Sequence, residues 1–210
     1  GFEFDNIESL VNVNANAGFS IAKWKGTGTA NSPVPHGLSA QPKLIISKDL
    51  SNSKSWQVYH EGANNARKFG GHLDTTDAFQ TAAGANGGWD TPTATLLKFS
   101  DGSSSINNLN EADAEIIAYC FHDVTGYQKI GGYTGDGGNE TGPTVTTGFK
   151  PDFVMIKRSN DTGNWLIFDS RRGGKLLFPN DNATEQNLVY VEFLSTGFKI
   201  IAPSSATGDT

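Results

Sequence analysis

The 210-residue chain carries a formal net charge of −6, with 18% charged residues, 25 glycines, 13 Phe and 4 Trp. Such an acidic chain argues against a nucleic-acid groove, and no apolar run approaches the roughly 18 residues of a membrane span. The lone cysteine, Cys120, leaves no intrachain disulfide, and the Gly-rich, aromatic composition points to many short strands joined by turns.

Residues 1–17 are asparagine-rich and read as an extended arm or linker. Residues 18–24 (GFSIAKW) alternate apolar and polar, the pattern of a half-buried strand. A Gly/Pro/Ser turn region follows. Its Gly26-Thr27-Gly28 has no helix pattern behind it, so a phosphate loop is not expected there. Residues 42–60 (PKLIISKDLSNSKSWQVYH) predict a hairpin: apolar runs flank an Asn/Ser loop, and Pro42 sits at a strand start where a missing N–H costs least. A long polar excursion over residues 62–93 holds His72, Asp74, Asp77, Trp89 and Asp90. Loops of that length are often functional. Runs at 95–99 (TLLKF) and 114–121 (AEIIAYCF) predict buried strands; the pair Ile116-Ile117 and the aromatics favour strand over helix in the second.

Residues 126–133 (GYQKIGGY) then restart the pattern of 18–24, and residues 151–169 (PDFVMIKRSNDTGNWLIFD) repeat the hairpin in register. Pro42 to Lys48 is six positions, as is Pro151 to Lys157; Lys48 to Trp56 is eight, as is Lys157 to Trp165. Self-similarity of this kind bears on the whole fold. It predicts an all-β protein, an antiparallel β-sandwich built from two related repeats, at 18–124 and 125–210, with Pro42, Lys48, Trp56, Pro151, Lys157 and Trp165 as structural anchors. Both tryptophans are expected in the core. Strands are expected again at 189–194 and 197–202. Nothing after them matches AEIIAYCF, so the second repeat lacks its last strand: that strand lies beyond Thr210, or another segment or chain supplies it.

The ordered set GFSIAKWKGTGTA, PHGLSAQPKLIISKD, WQVYHE, HLDTTDA, AYCFHDVTGYQKIGGYTGDG, GFKPDFVMIKRSNDTGNWLIFDSRR and FPNDNATEQ resembles a β-rich family of largely unknown function. That family is found in bacteriophage tail, tail-fibre and other virion structural proteins, many from marine and cyanobacterial phages. The resemblance covers about residues 18–202 and brings no catalytic residues with it. It implies a non-catalytic structural or assembly role in the virion, with other virion proteins and itself as partners, a trimer being favoured, and with host attachment as a further implication.

Chemistry-bearing patterns are sparse. The histidines His36, His60, His72 and His122 form no HxH or HExxH, so no metal site and no cofactor are expected; a cation held by His72, Asp74 and Asp77 is the weaker reading of that loop. No G-x-S-x-G elbow is present. Glu111, Asp113 and Glu115 alternate and read as a solvated edge. Arg171, Arg172 and Lys175 are expected to pair with carboxylates. The alternative function is a carbohydrate-binding module for a host glycan. In it Trp89 offers the stacking ring and Asp90, His72 and Asp74 the polar contacts. A polysaccharide depolymerase comes third, since no acid–base pair stands out.

Overall fold

A computed structural model describes residues 7–29, 32–63, 70–79, 88–99, 109–136 and 142–201. The chain is all-β. In order the strands are β1 (Ser9–Asn14), β2 (Phe19–Lys25), β3 (Val34–Pro35), β4 (Leu44–Asp49), β5 (Gln57–His60), β6 (Gly71–His72), β7 (Trp89–Asp90), β8 (Leu96–Phe99), β9 (Glu115–Phe121), β10 (Thr144–Thr146), β11 (Phe153–Lys157), β12 (Trp165–Asp169), β13 (Lys175–Leu176), β14 (Gln186–Val189), β15 (Val191–Leu194) and β16 (Gly197–Ile200).

The first half packs a six-stranded antiparallel sheet, in the order β1-β2-β9-β4-β5-β6, on a three-stranded one, β3-β8-β7. Period-2 alternation decides which side chains point inward. Trp24 from β2, Ile116, Ala118 and Cys120 from β9, and Ile45 from β4 meet Val34, Leu97, Phe99 and Trp89 of the smaller sheet in one core. Three aromatic rings tie the layers: Phe99 lies 5.9 Å from Trp24 and 5.6 Å from Trp89, centroid to centroid. Run 114–121 is a strand because Ala118 sits between Ala22 and Ser47 on the neighbouring strands, where a small side chain fits the centre of the sheet.

Residues 9–14 are not a free arm. They pair along their whole length with β2, from Ser9↔Trp24 to Asn14↔Phe19, and form the rim of the large sheet. The turn into β2 is fixed by the Asn14 side chain, which accepts the Ala17 N–H (3.1 Å), and by Gly18 at φ +60°. Only glycine adopts that φ freely, and a Cβ there would meet Val124 and the His122 carbonyl.

The second half has a different balance. Its sheets are β10-β16-β15, the hairpin β11-β12 and the pair β13-β14. Their core holds Val154, Ile156, Leu166, Phe168, Leu176, Val191, Phe198 and Ile200. Tyr133, Val145, Phe178, Tyr190 and Phe193 pack on it while half-buried. Residues 126–133, expected as a strand, form none; one bridge, Val124↔Gln128, stands there instead. The run expected at 189–194 divides at Tyr190 into β14 and β15.

The hairpins β4-β5 and β11-β12 share one pairing register. Leu44↔His60 and Ile46↔Val58 in the first correspond, 109 positions on, to Phe153↔Asp169 and Met155↔Ile167 in the second. What flanks them differs. β4 has β9 on its other side, whereas among the described residues β11 pairs with β12 alone.

Candidate functional site

The most constructed surface is the seam where residues 71–79 of the first half lie on hairpin β11-β12 of the second. The Phe79 amide donates to the Ser159 carbonyl (2.9 Å) and the Gly163 amide to the Thr76 carbonyl (2.8 Å). The indole of Trp165 donates to the His72 carbonyl (2.8 Å), and its ring lies 6.0 Å from that of Phe79. A second contact is steric: a Cβ on Gly62 would fall 2.6 Å from the Gly132 nitrogen, so the two glycine backbones touch directly. A third is ionic. Lys129 (2.6 Å) and Lys43 (3.2 Å) both reach Asp123, which also accepts the Ile130 amide (2.8 Å). Burial raises the pKa of Asp123, but these three partners outweigh it and hold the carboxyl below its ordinary range.

The six anchors do not share one environment. Trp165 is buried in the seam, whereas Trp56 is half-buried and lies outside the core. The core position expected for both holds only for Trp165, whose indole is satisfied by the His72 carbonyl and whose ring meets Phe79. The backbone N–H of each tryptophan is nonetheless capped alike, Trp56 by Asp74 Oδ1 (3.2 Å) and Trp165 by Asn180 Oδ1 (2.8 Å). The lysines also act alike. Lys48 donates to the Lys54 carbonyl of its own loop, and Lys157 to the carbonyls of Arg158 (2.9 Å) and Thr76 (3.4 Å). Pro151 is buried at the start of its strand, as is Pro42.

The four residues expected to bind sugar do not assemble as a sugar site. Trp89 is 0% exposed. Its pairing with Phe99 in β7-β8 turns the ring into the core, so it offers solvent no face to stack on. Asp90 accepts the Thr91 amide (2.7 Å) and Asp74 caps Trp56, while His72 holds Trp165 through its carbonyl. For the cation reading, His72 Nδ1 and Asp77 lie 3.9 Å apart, and the Asp74 carboxylate is turned to Trp56. Among the described residues no three His, Cys, Asp or Glu side chains gather as a metal site.

Other titratable groups serve the framework. His36 is buried. Its Nδ1 accepts the Leu38 amide (3.2 Å) and its Nε2 faces the Thr93 carbonyl (3.3 Å), so the neutral Nε2–H tautomer satisfies both; burial lowers its pKa. His60 accepts the Gly62 amide at Nδ1 (3.0 Å) and is likewise lowered by burial. Burial pushes the Cys120 thiol up to about 12. Asp113 and Glu115 pair with Lys25 and Lys23, as a solvated edge would. Arg172 pairs with Asp169 and with Glu185 (2.9 Å), and Lys175 with Glu185 (3.2 Å).

Sequence reasoning gave Lys157 only a structural label. Desolvation in the seam lowers it to about 8, against the pull of Asp77. It also missed Asn180. The signal was present, since Asp74 and Asn180 head similar stretches, HLDTTDA and FPNDNATEQ, but a three-residue slip from the 109-residue offset hides it.

No helix among the described residues is long and apolar enough to cross a membrane. No curated protein and no solved structure matches the chain. A family whose function is unknown does match, over residues 4–210, nearly end to end. The chain therefore belongs to the family described as Domain of unknown function (DUF7483).

Proposed function

We propose that the chain is a non-catalytic structural and assembly unit of a bacteriophage virion, built as two copies of one β unit. The observation that carries this reading is the shared hairpin register, with the same partners 109 residues apart. The small sheets support it: β3-β8-β7 and β10-β16-β15 run in corresponding order, and the bridge Ile167↔Leu177 falls where Val58↔Gly71 pairs in the first half. A β unit duplicated and locked by a seam suits a rigid building block. The polar groups with the most capacity for chemistry, Asp74, His36, His60 and Asp123, are held by backbone amides and ion pairs instead. The ordered motifs that resemble phage tail and fibre proteins supply the virion setting.

In this reading the chain works among other virion proteins and as a homo-oligomer, a trimer following the closed symmetry of such assemblies, and its place near host-facing parts adds to attachment. Gold-labelled antibody against the chain tests it on purified particles. Label at a fixed, repeated position is the expected result, and particles without label would remove the reading. Light scattering on the purified chain tests the trimer.

A further inference from the structure

The amide and indole bonds across the seam carry no charge, and Lys157 is the ionisable side chain that joins them. Its Nζ donates to the Arg158 carbonyl on its own side (2.9 Å) and to the Thr76 carbonyl of the first half (3.4 Å). The Thr76 carbonyl also accepts the Gly163 amide (2.8 Å). One oxygen therefore ties both the lysine and the hairpin loop to residues 71–79. Two acceptors need two N–H donors, which a neutral amine supplies; an ammonium adds a third N–H and a full charge. The carboxylates that attract this nitrogen, Asp77 and Asp161, are engaged elsewhere. Asp77 accepts from Thr75 Oγ1 (3.0 Å) and faces His72 Nδ1 (3.9 Å), and Asp161 pairs with Arg158 (3.1 Å). Asp74 is turned to the Trp56 amide, and the Arg158 cation repels Lys157. Across the ladder Lys157 faces Trp165, whose ring is buried. These surroundings satisfy an amine and desolvate a cation, and burial lowers the lysine accordingly.

We propose that residues 71–79 are a latch on hairpin β11-β12, loosened when Lys157 takes up a proton and tightened when it loses one. The segment is held at separate points: Trp165 holds the His72 carbonyl, Lys157 and Gly163 hold that of Thr76, and Ser159 holds the Phe79 amide. Asp74, Thr76 and Asp77 between these points are exposed. Lifting the segment therefore breaks few apolar contacts and leaves both cores folded. Proton uptake draws the lysine toward water, the Thr76 carbonyl loses it, and the segment lifts. Proton release restores an uncharged donor. The halves stay joined by the contact of Gly62 with Gly132 and by Asp123 with Lys43 and Lys129. The latch thus sets how firmly the halves are coupled, and its opening takes less free energy than unfolding. Asp77 favours the cation, and a protonated His72 competes with Lys157 for Asp77.

The test is pulse-labelled amide exchange on the full chain between pH 7 and pH 10, with each rate corrected for intrinsic chemical exchange. Phe79 and Gly163 report the latch. Ala118, paired on both sides in the large sheet, reports unfolding of the first core. Phe79 and Gly163 are expected to exchange faster than Ala118 throughout. Their corrected exchange is expected to stay level up to about pH 8. Above it, exchange slows by about tenfold per pH unit, because the open segment then binds a proton that the closed one lacks. Lys157→Met is expected to remove this slope at both amides. Asp77→Asn withdraws an attraction for the cation and is expected to move the onset to lower pH. His72→Gln keeps the carbonyl and is expected to keep the slope. Corrected exchange at Phe79 and Gly163 that does not change with pH overturns the proposal, and this readout needs no variant. Exchange matching that of Ala118 at every pH also overturns it, since the segment then opens only with the core. A slope that survives Lys157→Met and vanishes in His72→Gln overturns it in favour of the histidine.

Discussion

The indole Nε1 of Trp165 donates a 2.8 Å hydrogen bond to the carbonyl of His72, 93 residues earlier in the chain. That bond, with the Phe79 ring beside it, makes residues 71–79 of the first half part of the environment of the second. Trp165→Phe keeps a ring and loses the donor. The expected cost is about 1 kcal/mol, the net worth of one such bond, and denaturant unfolding measures it. Trp165→Ala also opens a cavity and is expected to cost about 3–5 kcal/mol. Trp56→Ala, at a half-buried ring, is expected to cost clearly less than Trp165→Ala.

The two tryptophan caps give a paired comparison. Asn180→Ala removes a part-buried acceptor that also donates to Asn164 (2.8 Å). Asp74→Ala removes an exposed one. Both are expected to destabilise, Asn180→Ala by about 1 kcal/mol and Asp74→Ala by less, because water replaces an exposed partner at little cost. Asp74→Asn, which copies the second half, is expected to be near neutral. Thermal melts of the three variants check the order.

Seam burial makes stability depend on alkaline pH. The folded-state pKa of Lys157, about 8, lies below the ordinary 10.5. Between these values the unfolded chain binds more protons than the folded one, so stability rises with pH across that window. Lys157→Met is expected to flatten the rise, as read from unfolding midpoints between pH 8 and pH 10. On the acid side, burial lowers His36 and His60 below the ordinary 6.5. Their neutral forms stabilise the fold above that value, and the contribution is lost as pH falls below it.

Cys120 lies on β9 in the middle of the first core, with its thiol held near 12 by burial. A thiol reagent acts on the thiolate, so the native chain is expected to resist alkylation at pH 8. Cys120 is expected to react fully once denaturant unfolds the chain. Mass spectrometry of the alkylated protein reads both states.

The hairpins, β2, β8 and β9 were legible in the sequence because each depends on a local pattern: alternation, β-branched runs and a proline at the strand start. Trp89 was not. Its neighbours Gly87, Gly88 and Asp90 read as a loop tip, and only pairing with Phe99 shows that the ring turns inward. The pairing of residues 9–14 with β2 escaped notice because the strand is almost wholly exposed and its asparagines mask the alternation. The seam was illegible for a different reason. It joins segments 80 to 93 positions apart through backbone carbonyls, and a carbonyl carries no residue identity.

One pair of edges tests the central claim, that two hairpins of one register differ in cover: β9 lies along β4, whereas among the described residues β11 pairs with β12 alone. Residue-resolved amide exchange on the isolated chain compares Leu44, Ile46 and Lys48 with Phe153, Met155 and Lys157. The account predicts strong protection of the first three, under β9, and rapid exchange of the second three. Equal protection of both sets would contradict it.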